Sequence, residues 1–333
     1  VALLSTEPGA DSTALSFQRA GDARLAPFTL RLQHAAGATV MGAVLPGTRT
    51  VLAVAGVVPS RDESWASALF RLDEGREPRL LADRVYLSTR PLVTAGGRVF
   101  VQRGRAGTEP SFEQARAGEL REDELTVDEV NPKTGEARTV HATTGYLTFL
   151  AGALGDELFV YRVRFHHADL IAVNADSGAV RVLAAPIEPF ARDFSVDAET
   201  KALLYTQLDA RTGEWVVERL DLSTLARSTL ARAPLMALAA HAWPGGKLAV
   251  NLKGDQGLSV LGADAVAGAP FGPGVDFLHA FTRDGRFVAG LHTTPSALPR
   301  PFVLRTSTGE PLLLATVPGA RVDVAGFVEA GAR

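Results

Sequence analysis

One short turn, repeated along the chain, limits what this sequence can fold into. It reads Asn131-Pro132-Lys133-Thr134-Gly135-Glu136, then Asn174-Ala175-Asp176-Ser177-Gly178, then Thr306-Ser307-Thr308-Gly309-Glu310. Degenerate copies stand at Asp73-Glu74-Gly75, Asp221-Leu222-Ser223-Thr224 and Gly262-Ala263-Asp264. Each copy lies between two short β-rich runs, and the copies return roughly every 40–60 residues. A β unit that small cannot bury its own faces, so repetition at this period predicts units that stack on one another.

Aligned on these turns, each unit reads as four strands. Two apolar strands around a tight turn come first, as in Pro91–Val101, Phe194–Tyr205, His241–Val250 and His279–Val288. The Gly pairs in those turns supply the positive φ that β-branched neighbours would not tolerate. A variable loop follows, then two strands closed by the repeated turn. Complete units fall at 38–85, 88–142, 145–187, 190–233, 235–273 and 276–317. The residue is one C-terminal strand within 320–330 and later strands within 1–33. These complementary fragments make a seventh unit. The expectation is an all-β fold, a seven-bladed β-propeller of four-stranded antiparallel blades in one domain over 1–333. Its ring would be closed by N- and C-terminal strands sharing one blade.

The segments Ala280-Phe281-Thr282-Arg283-Asp284-Gly285-Arg286-Phe287 and Ala242-Trp243-Pro244-Gly245-Gly246-Lys247-Leu248 resemble the Ala-Trp-Ser-Pro-Asp-Gly-Lys repeat of TolB-like propellers. Phe194-Ser195-Val196-Asp197 is a looser copy. The resemblance covers blade scaffolding over most of the chain. It implies a protein-interaction platform of the bacterial envelope, since that family has only a minority of enzymes. An extracytoplasmic setting, in the periplasm or at the envelope, follows from it.

Composition removes several classes. The chain has 333 residues, 46% of them hydrophobic and 21% charged, which is globular rather than disordered. A net charge of −3 without a basic cluster argues against nucleic acid. The absence of cysteine excludes disulfides, thiolate metal sites and thiol nucleophiles. No apolar run is long enough for a transmembrane segment. Val1-Ala2-Leu3-Leu4 is too short for a signal peptide, and a mature or trimmed product is expected. Lys133, Lys201, Lys247 and Lys253 stand against thirty arginines, a bias that reads as a GC-rich genome more than a demand for guanidinium.

Two groups of residues carry the functional expectations. The first is a partner-binding face built from long loops: Arg61 and Trp65 in one, Phe112 and Arg116 in another, and Phe165, His166 and His167 in a third. Within Gly104–Asp123, Ser111-Phe112-Glu113-Gln114 reads as a capping box opening a short helix through Leu120. The second group lies at the mouth of a channel. His241 and His279 occupy equivalent positions on first strands of adjacent units, and Arg192 and Arg90 take that place in others. Their chemistry suits a small anionic or sugar ligand, or a metal-assisted polysaccharide lyase in which the imidazoles act as ligands or bases. It equally suits ordinary polar lining, with His34, His141 and His292 on the same face. No carboxylate pair accompanies the histidines, so no metal is assigned. No Gly-x-Ser-x-Gly elbow or phosphate-binding loop occurs, and no cofactor or catalytic residue is expected. Trp243 is expected in its unit's core, and Trp65 and Trp215 near loop entries.

Overall fold

Each repeated turn closes on its own side chain before it closes on the sheet. In the computed structural model, Asn131 Oδ1 accepts from the N–H groups of Lys133 at 2.8 Å and Thr134 at 3.2 Å. The Asn131 carbonyl accepts from Gly135, whose φ of 81° only glycine adopts without cost. Asn174 repeats the pattern with Asp176 and Ser177, and Asp221 with Ser223 and Thr224. Leu225 stands at φ 60° where the other copies carry Gly.

The structure describes residues 1–57, 67–86, 89–104, 124–144, 147–164, 167–188, 191–233, 239–251, 258–261, 274–294, 296–312 and 314–329. Among them every regular element is a strand. They gather into two compact units. The first comprises Val1–Leu150, Asn174–Gly178 and Leu313–Arg333, the second Ala151–Val173 and Ala179–Leu312.

The first unit opens with β1 (Ala2–Thr6), β2 (Ser12–Phe17) and β3 (Phe28–Gln33). Next come β4 (Val40–Val44), β5 (Thr50–Gly56), β6 (Ser67–Asp73) and β7 (Arg79–Val85). Then follow β8 (Leu92–Val93), β9 (Val99–Gly104), β10 (Glu124–Val130) and β11 (Ala137–Thr144). One sheet runs β12 (Leu147–Leu154), β13 (Glu157–Arg164), β14 (His167–Asn174) and β15 (Val180–Ile187). The second unit continues with a sheet of β16 (Arg192–Asp197), β17 (Ala202–Asp209), β18 (Glu214–Asp221) and β19 (Arg227–Ala233). After it stand β20 (Ala239–Trp243), β21 (Lys247–Asn251) and β22 (Leu258–Leu261). Last in that unit are β23 (Val275–Phe281), β24 (Phe287–Thr294), β25 (Ala297–Arg305) and β26 (Pro311–Leu312). The final strand, β27 (Arg321–Gly326), belongs to the first unit and pairs antiparallel with β1, so the two ends of the chain share a sheet ordered β27-β1-β2-β3.

The count differs from expectation. Four separate four-stranded sheets are present among the described residues, not seven. Two predicted units merge because Val85 pairs with Arg103, joining β7 to β9 and making one eight-stranded sheet. The unit predicted at 235–273 shows three strands, and the stretch expected to supply a fourth lies outside the described residues. The predicted helix after Ser111 also lies outside them.

The sheets are held by apolar faces pressed together. Ala2, Leu4, Leu15 and Leu32 pack with Val40, Val51, Ala53 and Leu72 of the neighbouring sheet. All seven residues of β5 are buried, as a continuous apolar run covered on both faces requires. In the second unit Leu204 and Val217 meet Ala240, Leu248 and Val250, and Trp243 meets Val288, Phe302 and Leu304. Each such Leu or Val contributes about 1.5–3 kcal/mol by leaving water. Trp243 fills the core as predicted, its ring edge-on to Phe281 at 5.7 Å.

Several arginines make contacts that a lysine could not. Arg71 forks onto Asp73, Arg98 onto Glu129, Arg162 onto Asp169 and Arg181 onto Glu157, each through two nitrogens. A lysine cannot make that planar two-point contact.

The turn chemistry sets two opposed expectations. Leu225→Gly, which relieves a positive φ at an exposed site, should raise the unfolding free energy by about 0.5–1 kcal/mol. Gly135→Ala should lower it by about 1–2 kcal/mol, because its Cβ would stand 3.0 Å from the Leu81 carbonyl oxygen. Urea unfolding of both variants measures the pair, and shifts of the same sign would contradict the account.

Candidate functional site

The four channel-mouth candidates are divided between the two units. Arg90, in the first, follows β7 and precedes β8. Its Nη2 meets Asp323 Oδ1 at 2.6 Å, and its Nη1 donates to Asp323 Oδ2 at 3.2 Å and to the Val324 carbonyl at 3.1 Å. The Gly42 carbonyl also accepts from Nη1, and the Gly42 N–H donates to Asp323 Oδ2 at 2.9 Å. Arg90 therefore ties β4 to β27, and its guanidinium serves the fold's own carboxylate and carbonyls.

In the second unit the structure brings His241 and His279 close enough to interact electrostatically. His241 Nε2 accepts the Leu278 N–H at 3.3 Å, from β20 across to β23. An imidazole accepting through Nε2 must be neutral. Burial, helped by the charge of His279, lowers its pKa to about 3. Some of the His241 surface stays accessible, but protein atoms crowd the ring closely enough for desolvation to dominate.

Arg192 opens β16 in the same unit. Its guanidinium lies over the Trp215 ring, 4.6 Å from the centroid, and its Nε is 3.4 Å from Asp193 Oδ2. Trp215, at the loop entry where the sequence places it, is buried with a cation over its ring. Asp193 is unusual in itself. It adopts φ 54° in a register shift between Arg192 and Ser195, and Thr206 Oγ1 donates to its Oδ2 at 3.1 Å. Burial raises its pKa although Arg192 and Thr206 oppose the shift.

The loop-face candidates fall mostly outside the described residues: Arg61, Trp65, Phe112, Arg116, Phe165 and His166 all do. His167, at the start of β14, is exposed. His34 is engaged locally, bonding Thr13 Oγ1 at 2.8 Å and the Ala35 carbonyl oxygen at 2.8 Å.

Sequence reasoning missed one buried constellation. His292 Nδ1 and Asp276 Oδ1 are 2.7 Å apart at 1% and 2% side-chain exposure. Asn251, fully buried, donates to the Asp276 carbonyl at 2.6 Å and accepts its N–H at 2.9 Å. Burial pushes the Asp276 carboxyl up, with His292 pulling it back. Counting outward from the Asp284-Gly285 turn would place Asp276 opposite Thr293, and it is a register shift between Leu278 and Ala280 that brings it opposite His292. Among the described residues no group of three His, Asp or Glu side chains is placed to hold a metal ion.

No protein-family model matches this sequence, and no curated protein does. Among solved structures the chain is similar to TolB from Acinetobacter baumannii, with 12% identity and a TM-score of 0.54 over 98% of this chain and 66% of that one. It is similar to a prolyl endopeptidase structure with 16% identity and a TM-score of 0.61, covering 97% of this chain and 50% of that one. It is also similar to an oligogalacturonate lyase in complex with manganese, at 14% identity and a TM-score of 0.54, covering 83% of this chain and 76% of that one. The chain thus spans about two thirds of the TolB structure and half of the endopeptidase. At these identities the likeness concerns fold alone: the chain is all-β and its fold is of propeller type.

Proposed function

We propose that this chain is a non-enzymatic scaffold that binds a protein partner through its long loops. The observation that carries this reading is the state of His241. Its ring is neutral and its Nε2 is occupied by a backbone N–H of the neighbouring sheet, which leaves it unsuited to metal ligation or proton transfer at that atom. Arg90 is similarly occupied by Asp323. With those groups holding the sheets together, recognition falls to the loops of Arg61–Trp65, Gly104–Asp123 and Phe165–His167. An envelope setting goes with this reading through the TolB-like repeat. The lyase alternative keeps only the proximity of His241 and His279, with no third ligand among the described residues.

Removing residues 108–120 should abolish capture of a partner from an envelope extract while the thermal midpoint moves little. A midpoint that collapses would instead assign the segment to the fold. The state of His241 has its own test. Because its folded pKa lies below that of an unfolded histidine, the unfolded chain binds more protons between about pH 6.5 and 3. Stability from this group is present above pH 6.5 and falls as the pH drops through that window. NMR of the imidazole nitrogens should therefore show a neutral ring down to pH 5, and a ring protonating near pH 6.5 would remove the argument. His241→Gln, which keeps an acceptor for Leu278, should flatten the acid side of the stability profile.

A further inference from the structure

The sheet that joins the two chain ends carries a small cavity on one face. Direct strand pairing sets Val322, Ser5, Ala14 and Arg31 in a row across β27, β1, β2 and β3, their side chains on the same side. Ala14 is the short member of that row. Over it, between Ser5 and Arg31, lies a cavity of about 60 Å³. Ser12 falls on that face by alternation, Glu7 and Phe28 line the same space, and the loop leading into β27 closes it. All of these residues belong to the first unit.

The cavity holds polar groups that the protein itself does not use. Ser5 is only 8% exposed, yet its hydroxyl makes no hydrogen bond among the described residues. A hydroxyl that deep is costly unless something in the cavity pairs with it. Thr6, equally buried on the opposite face, shows the usual outcome by bonding the Thr13 hydroxyl at 2.6 Å. The Arg31 guanidinium lies over the Phe28 ring, 5.7 Å from its centroid, which steadies it at the mouth. Neither Arg31 nor Glu7 forms an ion pair among the described residues, although both line this one small space. A cation and an anion thus border a single cavity without neutralising each other.

From this geometry we propose that the cavity binds the zwitterionic headgroup of a free α-amino acid. The carboxylate takes Arg31 and the Ser5 and Ser12 hydroxyls, and the ammonium takes Glu7. A space of this size admits about four or five water-sized groups, enough for the headgroup alone. Any larger side chain stays outside, against Phe28. A simple anion meets Glu7 and a simple cation meets Arg31, so a ligand carrying both charges suits the two walls best. The inference does not depend on the long loops.

Calorimetric titration of the full chain with glycine tests this, beside glycinamide, which lacks the carboxylate, and N-acetylglycine, which lacks the ammonium. Saturable glycine binding is expected, with each half-ligand about tenfold weaker or worse. Arg31→Gln and Glu7→Gln, both at exposed positions, should each weaken glycine about tenfold at an unchanged thermal midpoint. Ala14→Val should abolish binding by filling the floor, and the two glutamine variants carry the test if that change disturbs the sheet. No glycine binding at millimolar concentration, equal binding of either half-ligand, or undiminished affinity in a folded glutamine variant would overturn the proposal. Saturation by glucose without glycine would overturn it as well, and would assign the cavity to a neutral sugar.

Discussion

Arg71 and Arg79, on β6 and β7, donate to the carbonyls of Pro132, Lys133 and Thr134 in the turn between β10 and β11. That grip depends on the turn being stiff beforehand. Asn131 folds the turn onto its own side chain and Gly135 gives it a positive φ, so three carbonyls project in fixed directions. A guanidinium has enough donors to serve a carboxylate and a turn carbonyl at once, as Arg71 does with Asp73 and Pro132. Arg98 and Arg138 repeat the arrangement, sharing Glu129 while both reach the Ala175 carbonyl. In the second unit the polarity reverses: Glu199 Oε2 accepts the N–H groups of Gly245 and Gly246 in the turn between β20 and β21. These turns therefore connect successive strand pairs, within the eight-stranded sheet as well as between sheets, besides closing their own hairpins.

These polar grips set position and the apolar faces supply most of the energy. A hydrogen bond to a charged group adds about 1.5–3 kcal/mol net, comparable to one buried Leu, and each interface between sheets buries many. What the grips add is registry. Leu45, Leu52, Leu69, Val99 and Val130 would pack in several sliding arrangements, but only one aligns Arg71 and Arg79 with three fixed carbonyls. The fold thus pairs a non-directional force with a directional one.

This division explains what could be read in advance. The turn residues and the alternating runs are local, so the strands, their antiparallel order and the pairing of the chain's two ends were legible in Asn131–Glu136 and its copies. The merger of two units was not, because it rests on the single pair Val85 and Arg103. Arg90 looked like an anion clamp because its acceptor, Asp323, stands near the far end of the chain. The same limit hid Asp276 and His292, whose alignment depends on a register shift between Leu278 and Ala280. The loop face offers no such comparison, since most of its candidates lie outside the described residues.

The inner strands show where ionisable groups are already engaged. Asp276 and His292 form a buried pair beside the Asn251 carboxamide, and removing one member of such a pair costs about 3–5 kcal/mol because the other is left buried alone. Asp193 holds a left-handed φ next to Arg192, with the Thr206 hydroxyl as its donor. Each is held by neighbouring side chains and backbone, Asp276 by His292 and Asn251 and Asp193 by Arg192 and Thr206. Groups fixed in this way make a rigid frame. On such a frame, binding energy at the loop contacts proposed above would not be diverted into ordering the scaffold.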